Sequence, residues 1–209
     1  AKQSDLPCIK KTKLSDPDLE KKIQTLQPEI IFCIGSTQLV PESILKSCQL
    51  GCLNIHPALL PKYRGRYSTA HAIANGEAAT GVTLQWMDSG IDTGPIIMHE
   101  KIKIEETDTA KILYDKFTQT GTQLFETFLD KWLSGEKIIA THQNESEATY
   151  YPKGLPNNGE FDWNWSGKQI RNFIRAMTFE PFDPPSFYIG DKKMVIVEEK
   201  YFKGYNNEK

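Results

Sequence analysis

The sequence predicts an α/β domain on a largely parallel sheet, followed by a smaller C-terminal helix and β segment. Three observations carry this. Strand-type and helix-period segments alternate from Ser15 to Ile104. One long amphipathic stretch, Thr107 to Ser134, then reads as a single helix. After Gly135 the periodicity gives way to polar, proline- and glycine-bearing sequence.

Taken in order, SDPDLEKKIQTLQ opens the first helix. Ser15 is placed as N-cap, Pro17 in the first turn and Asp18 in a capping box, with Leu19, Ile23 and Leu26 on one face. EIIFCI, Glu29–Ile34, is a strand apolar on both faces, as in the middle of a parallel sheet. Its neighbours are only partly found downstream, so a further strand–helix unit is expected before Ala1. Pro41–Cys48 reads as a short helix, GCLNIH (Gly51–His56) as a strand, and Ser68–Asn75 as a helix stopped by Gly76. Thr80–Met87 and Ile96–Ile104 are strands around the loop DSGIDTGP. In the long helix Ala110, Leu113, Phe117, Leu124, Phe128 and Trp132 keep to one side. THQNESEATYYPKGLPNNGEFDWNW is a long loop, and long loops in compact domains are usually functional. A helix from Ser166 to Met177 and strands near Phe187–Ile189 and Lys193–Phe202 complete the chain. The expected division is 1–135, an N-terminally incomplete catalytic core, and 136–209, a loop, helix and β-hairpin subdomain.

The chain has 209 residues, and 25 basic against 27 acidic side chains leave a net charge of −2. That balance gives no footprint for a nucleic acid partner. No apolar run reaches membrane-span length and no signal-peptide pattern opens the chain, so the expected location is the cytoplasm, with no membrane partner. Cys8, Cys33, Cys48 and Cys52 read as buried thiols. His56, His71, His99 and the aspartates lack a tight ligand spacing, so no metal is expected.

Asn54 and His56, two apart on a strand, share a face. Pro57 ends the ladder and puts His56 at the strand's carboxyl end, where ligands bind in open α/β sheets. The DSGIDTG loop carries Asp88 and Asp92 toward the same place. An amide that can donate to an oxyanion, an imidazole that can move a proton and a carboxylate that can orient it suit acyl transfer. No nucleophile elbow of the G-x-S-x-G type is present, which favours direct attack by the acceptor. Spacing alone leaves open that Asn54 and His56 are satisfied core residues.

LNIHPALLPKYRG followed by GVTLQWMDSGIDTGPII strongly resembles the folate-dependent formyltransferase family. The resemblance implies a Rossmann-like formyltransferase domain with Asn54, His56 and Asp92 as catalytic residues. It implies N10-formyltetrahydrofolate as formyl donor, packed against Gln38, Leu39 and Val40 and against Met87, Asp88, Gly90 and Ile91, with no metal. RGRYSTAHAIANGE, YYPKGLPNNGEFDW and FYIGDKKMVIV are similar to sugar N-formyltransferases that act on dTDP-linked 3- or 4-amino deoxysugars for surface polysaccharide such as O-antigen. On that likeness Arg64, Arg66, Tyr150, Tyr151 and Lys153 are candidates for the nucleotide and its diphosphate. Gly154 and Leu155 stand where many relatives carry an arginine just beyond the lysine. A homodimer through the C-terminal β segment, using Phe187, Val195, Val197, Tyr201 and Phe202, is a further expectation. The alternatives are methionyl-tRNA formyltransferase and a 10-formyltetrahydrofolate hydrolase with water as acceptor.

Overall fold

Helix α1 (Pro17–Leu26) begins one residue later than the capping pattern suggests, in a computed structural model that describes residues 7–10, 13–180 and 182–196. Its N-cap is Asp16, not Ser15; the Asp16 carboxylate accepts from the Asp18 and Leu19 N–H groups. Pro17 explains the difference, since a residue before proline is held extended and is therefore the natural cap.

The main sheet has the order β1 (Ile30–Cys33), β2 (Gly51–His56), β4 (Ala79–Trp86), β5 (Ile96–Lys103). β1 and β2 run parallel, joined across the sheet edge by α2 (Glu42–Leu45). The β2–β4 and β4–β5 pairs are antiparallel, so the sheet is mixed, its parallel pairing on the β1–β2 side. Alternating helices and strands show the α/β class, while direction is set by the connections. Between β2 and β4 the chain passes through β3 (Arg64–Gly65) and helix α3 (Ser68–Ala74) and returns reversed. β4 and β5 are joined by the nine-residue loop 87–95.

Alternation in β2 separates two chemistries. Leu53 and Ile55 face α4 (Ala110–Leu133), where Leu53, Leu84 and Phe128 are fully buried and Phe32 meets the Phe125 ring edge-on at 4.9 Å. Cys52, Asn54 and His56 face the other way. Opposite them on β4, Gln85 pairs with Asn54 and Thr83 with His56, so four polar side chains stand together on one face. Thr83 anchors the turn after β2: its hydroxyl donates to Ala58 O at 2.6 Å and accepts from Leu60 N–H at 3.2 Å.

Helix α5 (Gly167–Met177), opened by a complete Ser166–Gln169 capping box, packs on α3 and α4. The segment 136–166 contains a two-residue strand, β6 (Tyr150–Tyr151), which pairs in parallel with β3. β7 (Ser186–Ile189) and β8 (Lys192–Val195) form the C-terminal hairpin. Val197, Tyr201, Phe202 and the rest of the expected last strand lie outside the described residues. Cys52 is buried and Cys33 and Cys48 half-buried, whereas Cys8, expected to be buried, is exposed. Among the described residues no helix is long and apolar enough to cross a membrane.

Candidate active site

Asp92 is the hub of the polar face. Its Oδ1 accepts from Asn54 Nδ2 at 3.3 Å and Gln85 Nε2 at 3.1 Å. Its Oδ2 accepts the Gly65 N–H at 2.8 Å and lies 3.4 Å from His56 Nδ1. Asp92 adopts φ 56°, a left-handed conformation that aspartate tolerates better than most residues. That conformation lets the 87–95 loop fold back over the face carrying Asn54 and Gln85. Because β4 runs antiparallel to β2, the loop comes from beside Leu53 rather than from the carboxyl edge of β2.

His56 is 4% exposed, and its Nε2 lies 2.8 Å from the Tyr63 carbonyl oxygen. A carbonyl can only accept, so Nε2 carries a proton and Nδ1 is the nitrogen turned to Asp92. Asn54, Gln85 and Asp92 line a small cleft with Met87, Asp88, Gly90, Thr93 and Gly94; His56 sits behind Asp92. A buried imidazole against a carboxylate that touches a cleft amide can pass a proton and steady a developing oxyanion at one place.

A formyl transferase model matches residues 1–129. The chain belongs to the formyl transferase family. Over 204 residues it is 34% identical to a methionyl-tRNA formyltransferase from Thermodesulfovibrio yellowstonii, covering 98% of this chain and 65% of that protein. It is 40% identical over 165 residues to a GDP-perosamine N-formyltransferase from Brucella melitensis, covering 79% of this chain and 62% of the relative. The chain thus spans a little under two thirds of these curated relatives. Among solved structures, an N-formyltransferase from Helicobacter canadensis in complex with folinic acid and dTDP-3-aminofucose superposes with a TM-score of 0.64 at 28% identity. That match covers 71% of this chain and 54% of the other.

In this member of the family the two segments expected to meet the formyl donor flank Gly65 and Arg66. Gly65 N–H is on Asp92, and the Arg66 guanidinium donates to Thr37 O in the 34–40 segment after β1. Leu39 is 72% exposed and Ile91 39%, so apolar surface is uncovered on each side; Val40 and Met87 are half-buried. Gln38 accepts the Leu14 N–H through its side chain. Asp88 is committed within its loop, where its Oδ1 accepts from Gly90 N–H and the Thr93 hydroxyl.

The two groups of candidate nucleotide contacts, about 85 residues apart, are brought together by the β3–β6 ladder, with Arg64 beside Tyr150 and Gly65 beside Tyr151. Arg64 itself turns inward. Its guanidinium is buried, forked onto Gln143 Oε1 and the Glu145 carboxylate, so it does not offer a free cation to a diphosphate. Tyr151 is also engaged: it stacks on Tyr63 at 5.1 Å, leans on His71 at 4.2 Å and accepts from Asn75. Tyr150, 53% exposed, and exposed Lys153 remain at the surface. Gln85 and Gln143 were not singled out by the sequence. Gln85 interrupts an apolar strand, which was a signal; Gln143 sits in a polar loop and gave none. Among the described residues no three His, Cys, Asp or Glu side chains converge as metal ligands would.

Proposed function

We propose that this chain carries the catalytic site of an N-formyltransferase that moves a formyl group from N10-formyltetrahydrofolate to the amine of a nucleotide-linked 3- or 4-amino deoxysugar. The observation that carries the chemistry is the Asp92 carboxylate shared between Asn54 Nδ2 and His56 Nδ1 at the edge of a cleft. The sugar class is supported by the Helicobacter canadensis structure, whose complex holds a dTDP-linked amino sugar, and by the GDP-perosamine relative.

The donor supplies an activated formyl carbonyl and takes up a proton on leaving. Asn54 Nδ2 has two hydrogens and uses one on Asp92, so the second is aimed to stabilise the oxygen that becomes negative under attack. Asp92 receives the proton that the attacking amine loses, the imidazole behind it shares that proton through Nδ1, and the same proton passes to N10 of the departing tetrahydrofolate as its bond to the formyl carbon breaks. Tyr63 O keeps the ring from turning. Leu39, Val40 and Ile91 supply apolar cover and Met87 and Gly90 backbone groups for a flat heteroaromatic donor. We assign the nucleotide contact to Tyr150 and Lys153, which are exposed, and to Arg66, which also holds Thr37 O. The enzyme acts in the cytoplasm and pairs as a homodimer through the β7–β8 hairpin.

The test is a mass-spectrometric screen of dTDP-, UDP- and GDP-linked amino sugars with N10-formyltetrahydrofolate. One sugar gaining one formyl mass with the wild type and none with Asn54→Ala is the expected result. No gain on any sugar rejects it. Methionyl-tRNA formyltransferase is the second reading, favoured by a match over 98% of the chain. Formylation of charged initiator tRNA in the same assay would select it instead.

A further inference from the structure

We infer that Arg64, Gln143 and Gln85 form a directional amide relay that positions Asp92, so Gln143 is a positioning residue for the transfer. This deepens the formyl-transfer reading and rests on it.

Each amide in the chain has one permitted orientation. Arginine only donates, so the oxygen of Gln143 must face it; Arg64 Nε and Nη2 reach that oxygen at 3.1 and 2.8 Å. The Gln143 NH2 group then points at three acceptors: Asp92 O at 2.8 Å, Gly94 O at 2.7 Å and Gln85 Oε1 at 3.2 Å. With its oxygen turned to Gln143, Gln85 must present its own NH2 to Asp92 Oδ1, as observed at 3.1 Å. Gln85 is 1% exposed, so water offers it no easy alternative. Glu145 completes the line by holding the other side of the Arg64 fork at 2.6 and 2.9 Å. A surface-anchored cation thus dictates, two side chains away, which end of an amide meets the carboxylate. If the relay reversed, Gln85 would turn its oxygen on Asp92, and the carboxylate would lose its place between Asn54 and His56.

The relay separates from simple packing in Gln143→Glu. That variant keeps an acceptor for Arg64, now as an ion pair, but loses every donor to Asp92 O, Gly94 O and Gln85. A role limited to anchoring Arg64 predicts wild-type turnover. The relay predicts a fall in kcat of about tenfold to a hundredfold, with KM for donor and amine within about threefold. Gln143→Leu removes both ends and should lower kcat and Tm together. Exchange of the Gln85 side-chain amide protons, followed by NMR, needs no turnover: slow in the wild type, at least about tenfold faster in Gln143→Glu as its partners are lost. Wild-type kcat in Gln143→Glu overturns the relay and leaves formyl transfer standing. If the wild type transfers no formyl group, that reading fails, and the Gln85 exchange rates alone judge the relay; equal rates in the two proteins overturn it.

Discussion

Asn54 gives one N–H to Asp92, and the proposed oxyanion role falls to its second, which makes it the most direct test of that role. Asn54→Ala should lower kcat by about a hundredfold or more, with little change in Tm, since the side chain is only half-buried. Gly65 tests the frame around it. Its φ of 95° suits glycine, its N–H holds Asp92, and an added Cβ would lie 2.1 Å from Tyr151 O. Gly65→Ala should destabilise the fold by at least ~2 kcal/mol, read as a lowered thermal midpoint. Asn54, His56 and Asp92 were legible in the sequence because two short motifs carry them. The inward turn of Arg64 was not, because its partners Gln143 and Glu145 are about 80 residues away.

Helix α4 shows what periodicity reads well. Its stripe Leu113, Phe117, Leu124, Phe128 is the surface on which β2 and β4 rest, and Phe128 is fully buried between Leu53 and Leu84. Phe128→Ala should cost about 3–5 kcal/mol, measured by denaturant unfolding, because rigid strands on one side cannot collapse into the space. Strand direction is another matter. β4 reads as an apolar strand whichever way it runs, and only the return through α3 makes it antiparallel to β2. The β3–β6 ladder was also invisible: two residues on each side are too few for any pattern, and its hydrogen bonds join Arg64 to Thr149 and Arg66 to Tyr151.

Across the whole molecule, buried titratable groups bound the pH range of stability. Burial holds His71 below its ordinary value of 6.5 despite the opposing bond at Gly154 O. The unfolded chain therefore takes the proton first, so the contribution is full above about pH 6.5 and is lost as pH falls. Cys52 works at the other end. Burial, with Cys48 Sγ 3.5 Å away, pushes its thiol from 9.0 up to about 12. The unfolded thiol ionises first, and that contribution is full below pH 9 and lost as pH rises toward 12. Tyr63, raised chiefly by burial, adds to the alkaline side. Thermal midpoints should therefore be highest between about pH 6.5 and 9, and His71→Gln should flatten the acid limb.

What the sequence determined by itself is the order and type of the long elements and the identity of the three polar residues, because apolar period and motif spacing are local properties. Tertiary structure alone decided that Asn54 and Gln85 stand opposite each other, that β4 reverses, and that Arg64 is buried beside Gln143. Those depend on pairings between segments up to 80 or so residues apart, and hydrogen-bond partners at such range leave no trace in the pattern of either segment.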